Sequence, residues 1–200
     1  MSSIRPFRPG DEPALTEICV RTAKAGADAT GMLSDDEIWG AIFALPYARR
    51  HPETAFVVET DGGRVAGYIV SAPDTDAFER WFAAEWWPPH AERWPLAAAR
   101  SEDERSILAY AGERGATPNP WQAAGYPAHL HIDLLPELQG QGFGRRLIET
   151  LTAHLRERGV PGVHLVASAA NAGAVAFYPR VGFTSLPAAG DERAFGMLLA

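Results

Sequence analysis

An α/β (α+β) domain is expected on three grounds. Strand-like and helix-like segments alternate along 200 residues, a length that suits a single domain over 1–200, at most one carrying a large insertion. Two apolar runs at 55–70 flank Asp61-Gly62-Gly63-Arg64, where the glycines supply the positive φ of a hairpin turn. From residue 128 an apolar strand passes through a glycine-rich turn into an amphipathic helix, the pattern of a strand–turn–helix unit.

Ile4-Arg5-Pro6-Phe7 reads as a short edge strand, because proline cannot donate to a central ladder. Asp11 is placed to cap a first helix, with Pro13 in its first turn and Leu15, Ile18 and Cys19 on one face. Ser34-Asp35-Asp36-Glu37 has capping-box spacing and opens a second helix through Ile38, Ile42 and Leu45. That helix is expected to stop near Leu45-Pro46, since a residue before proline leaves the helical region. The hairpin strands Ala55–Thr60 and Val65–Val70 come next.

Between Pro73 and Pro127 lie seven of the sixteen prolines and five of the six tryptophans, so this segment is set apart as a Trp/Pro-rich helical insertion. Short helices over about 78–87 and 102–112, joined by proline turns, make it a satellite core or a lid forming an acceptor wall. After it, 129–135 is a strand ending at Pro136, and the next helix carries Leu147, Ile148, Leu151 and Leu155 on one face until Gly159 and Pro161 end it. A strand at 163–167, a short helix from Asn171 to Tyr178, and strands at Phe183 and 194–199 complete the chain.

Charge and composition narrow the function. Eighteen basic against twenty-five acidic residues leave a formal net charge of −7, which argues against a nucleic-acid surface. No run approaches the ~18 apolar residues of a membrane span, and MSSIRPFRPGDEP puts charge and proline where a secretory leader has its apolar run. The single cysteine, Cys19, removes internal disulfides and cysteine-based zinc sites. A cytoplasmic protein with neither membrane nor nucleic-acid partner is expected.

The turn Gln139-Gly140-Gln141-Gly142-Phe143-Gly144 carries the chemistry. Without Cβ atoms its backbone can approach a ligand, and the helix behind it offers unpaired N–H groups and a positive dipole end. A phosphate fits such a junction, with Arg145 and Arg146 adjacent. The third residue after Gly142 is Arg145, so the dinucleotide fingerprint fails, and no Gly-Lys-Ser/Thr marks a P-loop. What remains, Gln-x-x-Gly-x-Gly, is a phosphate-binding turn or a plain tight connection.

His129, His131 and Asp133 alternate along the preceding strand and share a face. Each can be a catalytic base or a buried structural group. Two histidines at i, i+2 lack a clear third metal ligand, although Asp133 and His164 are at hand, so no metal is expected. Asp74 and Asp76 are read first as loop carboxylates capping a helix and second as holders of a cationic acceptor. Ser71 and Ser168 lie outside any Gly-x-Ser-x-Gly elbow, which leaves nucleophilic serine chemistry without support.

Leu134-x-Pro136-x-x-Gln139-Gly140-Gln141-Gly142-Phe143-Gly144, followed by Asn171-x-x-Ala174-x-x-Phe177-Tyr178-x-Arg180-x-Gly182-Phe183, resembles the GCN5-related N-acetyltransferase superfamily. The order of elements matches that fold everywhere except 73–127. More narrowly, the chain resembles bacterial relatives of the acetyltransferase-like C-terminal domain of O-GlcNAcase. The resemblance implies a mixed, mostly antiparallel seven-stranded sheet, splayed beside the strand ending at Leu135 so that acetyl-CoA inserts in the gap. It implies that Gln139, Gly140, Gln141, Gly142, Phe143, Gly144 and Arg145 hold the pyrophosphate, and that Leu134 and Leu135 bind the pantetheine arm like an added strand. Asn171 then reaches that arm, Phe177 is core or a cofactor wall, and Tyr178 protonates the leaving thiolate. Gln139 stands where arginine is commoner, which backbone contacts tolerate.

The paired histidines resemble those of the arylalkylamine N-acetyltransferases, where the distance to the turn is one residue longer. The implied activity is direct acetyl transfer to a small amine or a peptide or protein lysine. Cys19 is not a nucleophile in this scheme. The alternative is a non-catalytic acyl-CoA-binding pseudo-acetyltransferase or interaction domain, as the O-GlcNAcase domains are regarded. Both a monomer and a homodimer fit the sequence.

Overall fold

The computed structural model describes residues 2–199. Strands β1 (Ser3–Pro6), β2 (Phe56–Glu59), β3 (Val65–Ala72), β4 (Ala128–Leu134), β5 (Gly162–Ser168), β6 (Thr184–Leu186) and β7 (Glu192–Leu198) form one seven-stranded sheet in the order β1-β2-β3-β4-β5-β7-β6. Every neighbouring pair is antiparallel except β4 and β5, which run parallel. The mixed, mostly antiparallel α/β sheet expected from the sequence is present.

Pairing along β4 is lopsided, and that asymmetry positions the site. On one side β4 pairs with β3 from Gly67↔Leu134 to Ala72↔His129. On the other it meets β5 only at Ala128↔Val163 and His129↔His164. Beyond those two pairs the strands part, while β5 stays paired with β7 as far as Ser168↔Glu192. Leu135 N–H bonds to Ala66 C=O at 2.9 Å. Because antiparallel residues alternate in the direction of their main-chain groups, Ile132 and Leu134 point theirs into the gap.

Helices α1 (Glu12–Val20), α2 (Glu37–Phe43), α3 (Leu45–Arg50), α4 (Thr75–Trp81), α5 (Trp87–Arg93), α6 (Glu102–Glu113), α7 (Phe143–Glu157) and α8 (Ala172–Arg180) surround the sheet. Phe56 meets His154 of α7 on one face, while Tyr68 meets Cys19 of α1 on the other. The predicted stripe of α7, Leu147, Ile148, Leu151 and Leu155, is fully buried. Among the described residues no helix is long and apolar enough to cross a membrane.

Three local expectations are corrected. Asp11 makes no capping bond; its carboxylate accepts two bonds from Arg5 (2.7 and 2.9 Å) and one from Arg8 N–H (2.8 Å), and such charge-assisted pairs outweigh a neutral cap. The capping box at Ser34 does not form. Ser34 instead donates its N–H and hydroxyl to the buried carboxylate of Glu104 on α6, at 2.9 and 2.7 Å. The second helix does end next to Leu45-Pro46, at Phe43 with Ala44 as its C-cap, but the expected cause is corrected, because Leu45 and Pro46 are themselves helical and open α3. It breaks at Ala44 (φ −129°, ψ −58°), and Pro46 then sits in the first turn of α3, where a missing N–H costs nothing.

Residues 73–127 fold as α4, a π-helical turn at 82–86, α5 and α6. Pro88 and Pro89 have no N–H to continue a regular ladder, and Trp87 N–H reaches back five residues to Phe82 C=O. Phe78, Phe82, Trp87, Trp94 and Leu108 join the main hydrophobic core. Two indoles tie the segment down: Trp86 donates to Ala41 C=O at 2.8 Å and Trp94 to the Asp35 carboxylate at 2.9 Å. Where the segment returns to the sheet, the Gly125 carbonyl lies over Gly162, so close that a Cβ on Gly162 would collide with it. Gly162→Ala is therefore expected to lower stability by about 1–3 kcal/mol, as overpacking against backbone does. An unchanged urea midpoint would contradict this packing.

Candidate active site

The turn after β4 is shaped by two left-handed glycines, Gly140 (φ +74°) and Gly142 (φ +81°), each with open space where a Cβ would lie. Gly142 is the N-cap of α7 and supplies no side-chain cap. Among the described residues the N–H groups of Gly140, Gln141, Gly142, Phe143, Gly144 and Arg145 find no acceptor; the ladder begins at Arg146 N–H on Gly142 C=O. Six free donors thus gather at a positive helix end, a geometry suited to a diphosphate.

The side chains of the turn are occupied differently from the backbone. Gln139 Nε2 donates to Leu134 C=O at 2.9 Å, and Gln141 Nε2 to Glu137 C=O at 2.5 Å. Arg145 donates to Arg180 C=O at 2.7 Å, tying α7 to the end of α8. Arg146 lies over the Phe143 ring. Gly144 differs from the other two glycines: a Cβ there would press on Phe177, 3.1 Å away, so its bareness admits the Phe177 ring. Leu135 is buried, with its N–H on Ala66 and its carbonyl accepting from Leu138 N–H. It belongs to the core, and Leu134 is the residue that faces the gap.

Between the parted ends of β4 and β5 lies a cavity of about 790 Å³, lined by Ile132 and Asp133 on one strand and by Val166, Ala167 and Ser168 on the other. His129, His131 and Asp133 line it together with Tyr178, Asn171, Trp39, Phe43 and Tyr110, the Phe43 ring lying edge-on to His131. The predicted shared face of the three β4 residues is real: both histidines meet Tyr47, His129 Nε2 at 2.8 Å and His131 Nε2 at 3.0 Å from its hydroxyl. Asp133 accepts from Tyr68 O–H at 2.5 Å. Burial pushes the Asp133 carboxyl up, against the bonds from Tyr68 and Thr22. Burial also holds the His129 imidazole well below its ordinary value, and His131 at about 3 with the nearby Arg114 cation adding to the effect. Both rings are neutral at pH 7.

Tyr178 packs on Phe177, Phe183 and Phe195, and its hydroxyl has no hydrogen-bond partner among the described residues. Yet it is not sealed off, as Trp39 Nε1 is the one sealed and partnerless side-chain polar atom there. Burial, and secondarily Asp133, push its phenol up, so it holds its proton at neutral pH. Asn171 caps α8, its Oδ1 accepting from Ala174 N–H at 3.0 Å. Asp74 caps α4 through Ala77 N–H, as first read, whereas Asp76 lies in the first turn of α4 and accepts from Asn119 N–H.

Nothing local in the sequence marks Tyr47, Thr75 and Glu79 of the cavity wall, or Arg114, which is bonded to Tyr47 and Glu79 behind it. The Arg114 side chain is 3% exposed and pairs with Glu79 through Nε (2.8 Å) and Nη2 (2.6 Å), while also donating to Ile42 C=O and the Tyr47 hydroxyl. These partners lie 35 to 72 positions away, and no local pattern joins them.

The buried histidines set an acid sensitivity. His164 donates Nδ1–H to Tyr126 C=O at 2.9 Å, and its burial lowers it to about 4. Its folded-state value lies below the unfolded one near 6.5, so the unfolded chain binds the proton first as pH falls. The stability due to its neutral state is present above pH 6.5 and declines as the pH falls toward 4. At pH 5.5 the loss is about 1.4 kcal/mol for such a histidine. Urea midpoints from pH 7.5 to 5 should fall, and His164→Asn should flatten the slope; parallel slopes for the two proteins would refute the assignment.

Comparison with known proteins agrees with this geometry. The acetyltransferase (GNAT) family model matches residues 27–183. The mycothiol acetyltransferase of Nocardia farcinica is 30% identical over 192 residues, covering 87% of this chain, which spans 58% of that protein's length. The crystal structure of SsHAT superposes with a TM-score of 0.89 at 41% identity, over 100% of this chain and 98% of that one. The structure of yncA from Salmonella typhimurium with acetyl-CoA shares the fold, with a TM-score of 0.59 at 17% identity over 100% of this chain and 95% of that one. With its splayed sheet, its bare amide turn and these relatives, the chain belongs to the acetyltransferase (GNAT) family.

Proposed function

We propose that this protein is an acetyl-CoA-dependent N-acetyltransferase that passes acetyl directly to an amine, either a small amine or a peptide or protein lysine. The observation that carries the proposal is the set of six partnerless amides at the turn after β4, with main-chain groups of Ile132 and Leu134 facing the gap and an unbonded Tyr178 hydroxyl in the cavity that Ile132 also lines. The amides suit the diphosphate of acetyl-CoA, the strand edge suits its amide-bearing arm, and Tyr178 suits the sulfur. Asn171 flanks the arm with the Nδ2 that its capping role leaves over.

In the reaction the neutral amine nitrogen attacks the thioester carbon. Main-chain N–H on β4 steadies the oxyanion, the C–S bond breaks, and Tyr178 gives its proton to the thiolate. The nitrogen becomes far more acidic once bonded to the carbonyl carbon, so even the weakly basic His131 can take its proton and pass it to cavity water.

Phe43 and Tyr110 stack in the cavity wall (centroids 5.7 Å apart), and Asp191 and Glu192 line the cavity. A cationic, partly apolar acceptor fits this combination, with residues 73–127 supplying part of its wall within one 1–200 domain. The finer kinship, to bacterial relatives of the O-GlcNAcase acetyltransferase-like domain, belongs to the same proposal. Calorimetric titration with acetyl-CoA followed by thiol release across a panel of amines tests it. Binding with amine-dependent release is expected. Binding with no release for any amine, indifferent to Tyr178→Phe, would make the protein a non-catalytic acyl-CoA-binding module.

A further inference from the structure

We infer that Thr75, His129 and Tyr47 form a positioning chain that fixes the tautomer of His131 and leaves its Nδ1 as the lone pair offered to the acceptor amine. The role toward the amine rests on the proposed function; the chain itself does not. Its direction follows from counting protons. The Thr75 hydroxyl lies 2.7 Å from Pro127 C=O and 2.9 Å from His129 Nδ1. A carbonyl has no proton to give, so the hydroxyl proton lies on the Pro127 side and His129 must donate Nδ1–H to Thr75. A neutral His129 then has a bare Nε2, and the Tyr47 hydroxyl, 2.8 Å away, donates to it.

With its only proton committed, the Tyr47 oxygen can only accept from its remaining neighbours. Arg114 Nη2 donates at 3.1 Å, and His131 Nε2, at 3.0 Å, must do the same. His131 is therefore the Nε2–H tautomer. Its Nδ1 has no protein partner among the described residues and is not sealed from the cavity its ring lines. Tyr47 is the point on which the chain turns: were His129 to carry its proton on Nε2, the Tyr47 proton would swing to His131 Nε2 and move the His131 proton to Nδ1, closing the lone pair to the amine. Thr75, two ring systems from the cavity lone pair, thus selects the state of His131 without touching it.

Thr75→Val and Thr75→Ser test this with 15N-histidine NMR, which reads the two ring nitrogens separately and independently of activity. Signals are assigned with His129→Asn and His131→Asn. The wild type should show pyridine-like Nδ1 and pyrrole-like Nε2 on His131, with the reverse on His129. Thr75→Val should exchange both patterns, and Thr75→Ser should restore them. In parallel, kcat should drop at least tenfold in Thr75→Val with the acetyl-CoA affinity unchanged, and recover in Thr75→Ser.

A wild-type His131 protonated at Nδ1, or patterns unmoved by Thr75→Val, would overturn the chain. Exchanged tautomers with unaltered kcat would uphold the chain and overturn the role of His131 toward the amine. Should the valine protein not fold, the wild-type tautomers and the serine variant still decide the hydrogen-bond directions.

Discussion

Replacing Gly142 with valine is expected to weaken acetyl-CoA binding at least a hundredfold. Gly142 holds φ at +81°, a region that costs an L-residue roughly 1–2 kcal/mol and a β-branched one more. No atom lies within 4 Å of the added Cβ, so the effect comes from the backbone relaxing out of the left-handed region. That relaxation re-aims the neighbouring N–H groups. Bonds from amides to a charged phosphate are worth about 1.5–3 kcal/mol each, and losing two of them gives the stated factor. Gly159→Val is the control. It imposes the same strain at φ +71°, also in open space, at the far end of α7. It should lower stability while calorimetry finds the acetyl-CoA affinity intact; equal loss of affinity in both variants would mean that strain, not the amides, is responsible.

Tyr178→Phe should lower kcat by about a hundredfold or more while leaving the acetyl-CoA dissociation constant within about twofold, in keeping with the size of general-acid contributions. The phenyl ring retains its packing on Phe177, Phe183 and Phe195, so fold and cavity stay the same. Only the proton is removed. Since burial keeps the phenol protonated at neutral pH, the wild-type residue is in the correct form to protonate a thiolate. A phenylalanine variant with wild-type turnover would leave the leaving group to solvent and reassign Tyr178 to packing.

Much of this molecule was legible in the sequence where information is local. The hairpin, the α7 stripe and the bare turn each depend on spacing within a dozen residues, and each appears where periodicity or glycine placement puts it. The same turn also shows the limit of such reading. Gly140 and Gly142 are bare for the backbone's sake, but Gly144 is bare for Phe177, a neighbour brought there by another helix. Ser34 has a capping-box pattern, yet Glu104, seventy residues on, offers its carboxylate to the same donors. Asp11 was likewise taken by Arg5. For both capping residues a charged side chain displaced a neutral local partner.

The polar wall of the cavity was legible only in part. His129, His131 and Asp133 share a face because strand residues alternate, which no tertiary contact can alter. What those side chains do depends on Tyr47 from α3, Thr75 from α4 and Arg114 from the end of α6. Buried hydrogen-bond networks of this kind are closed by topology, and a one-dimensional pattern contains no trace of which hydroxyl meets which ring. The splay of β4 from β5 was foreseen through family resemblance; in the structure it is the early end of their pairing at His129↔His164.

Amide chemical shifts during acetyl-CoA titration report whether the free amides of the strand-to-helix turn grip a diphosphate and aim the acyl group into the gap. Saturable shifts concentrated on Gly140 through Arg145 are expected, with a second set on Ile132 and Leu134 and small changes elsewhere. Saturable binding that leaves the 140–145 amides unmoved, or an absence of binding at millimolar acetyl-CoA, would contradict this role of the amides.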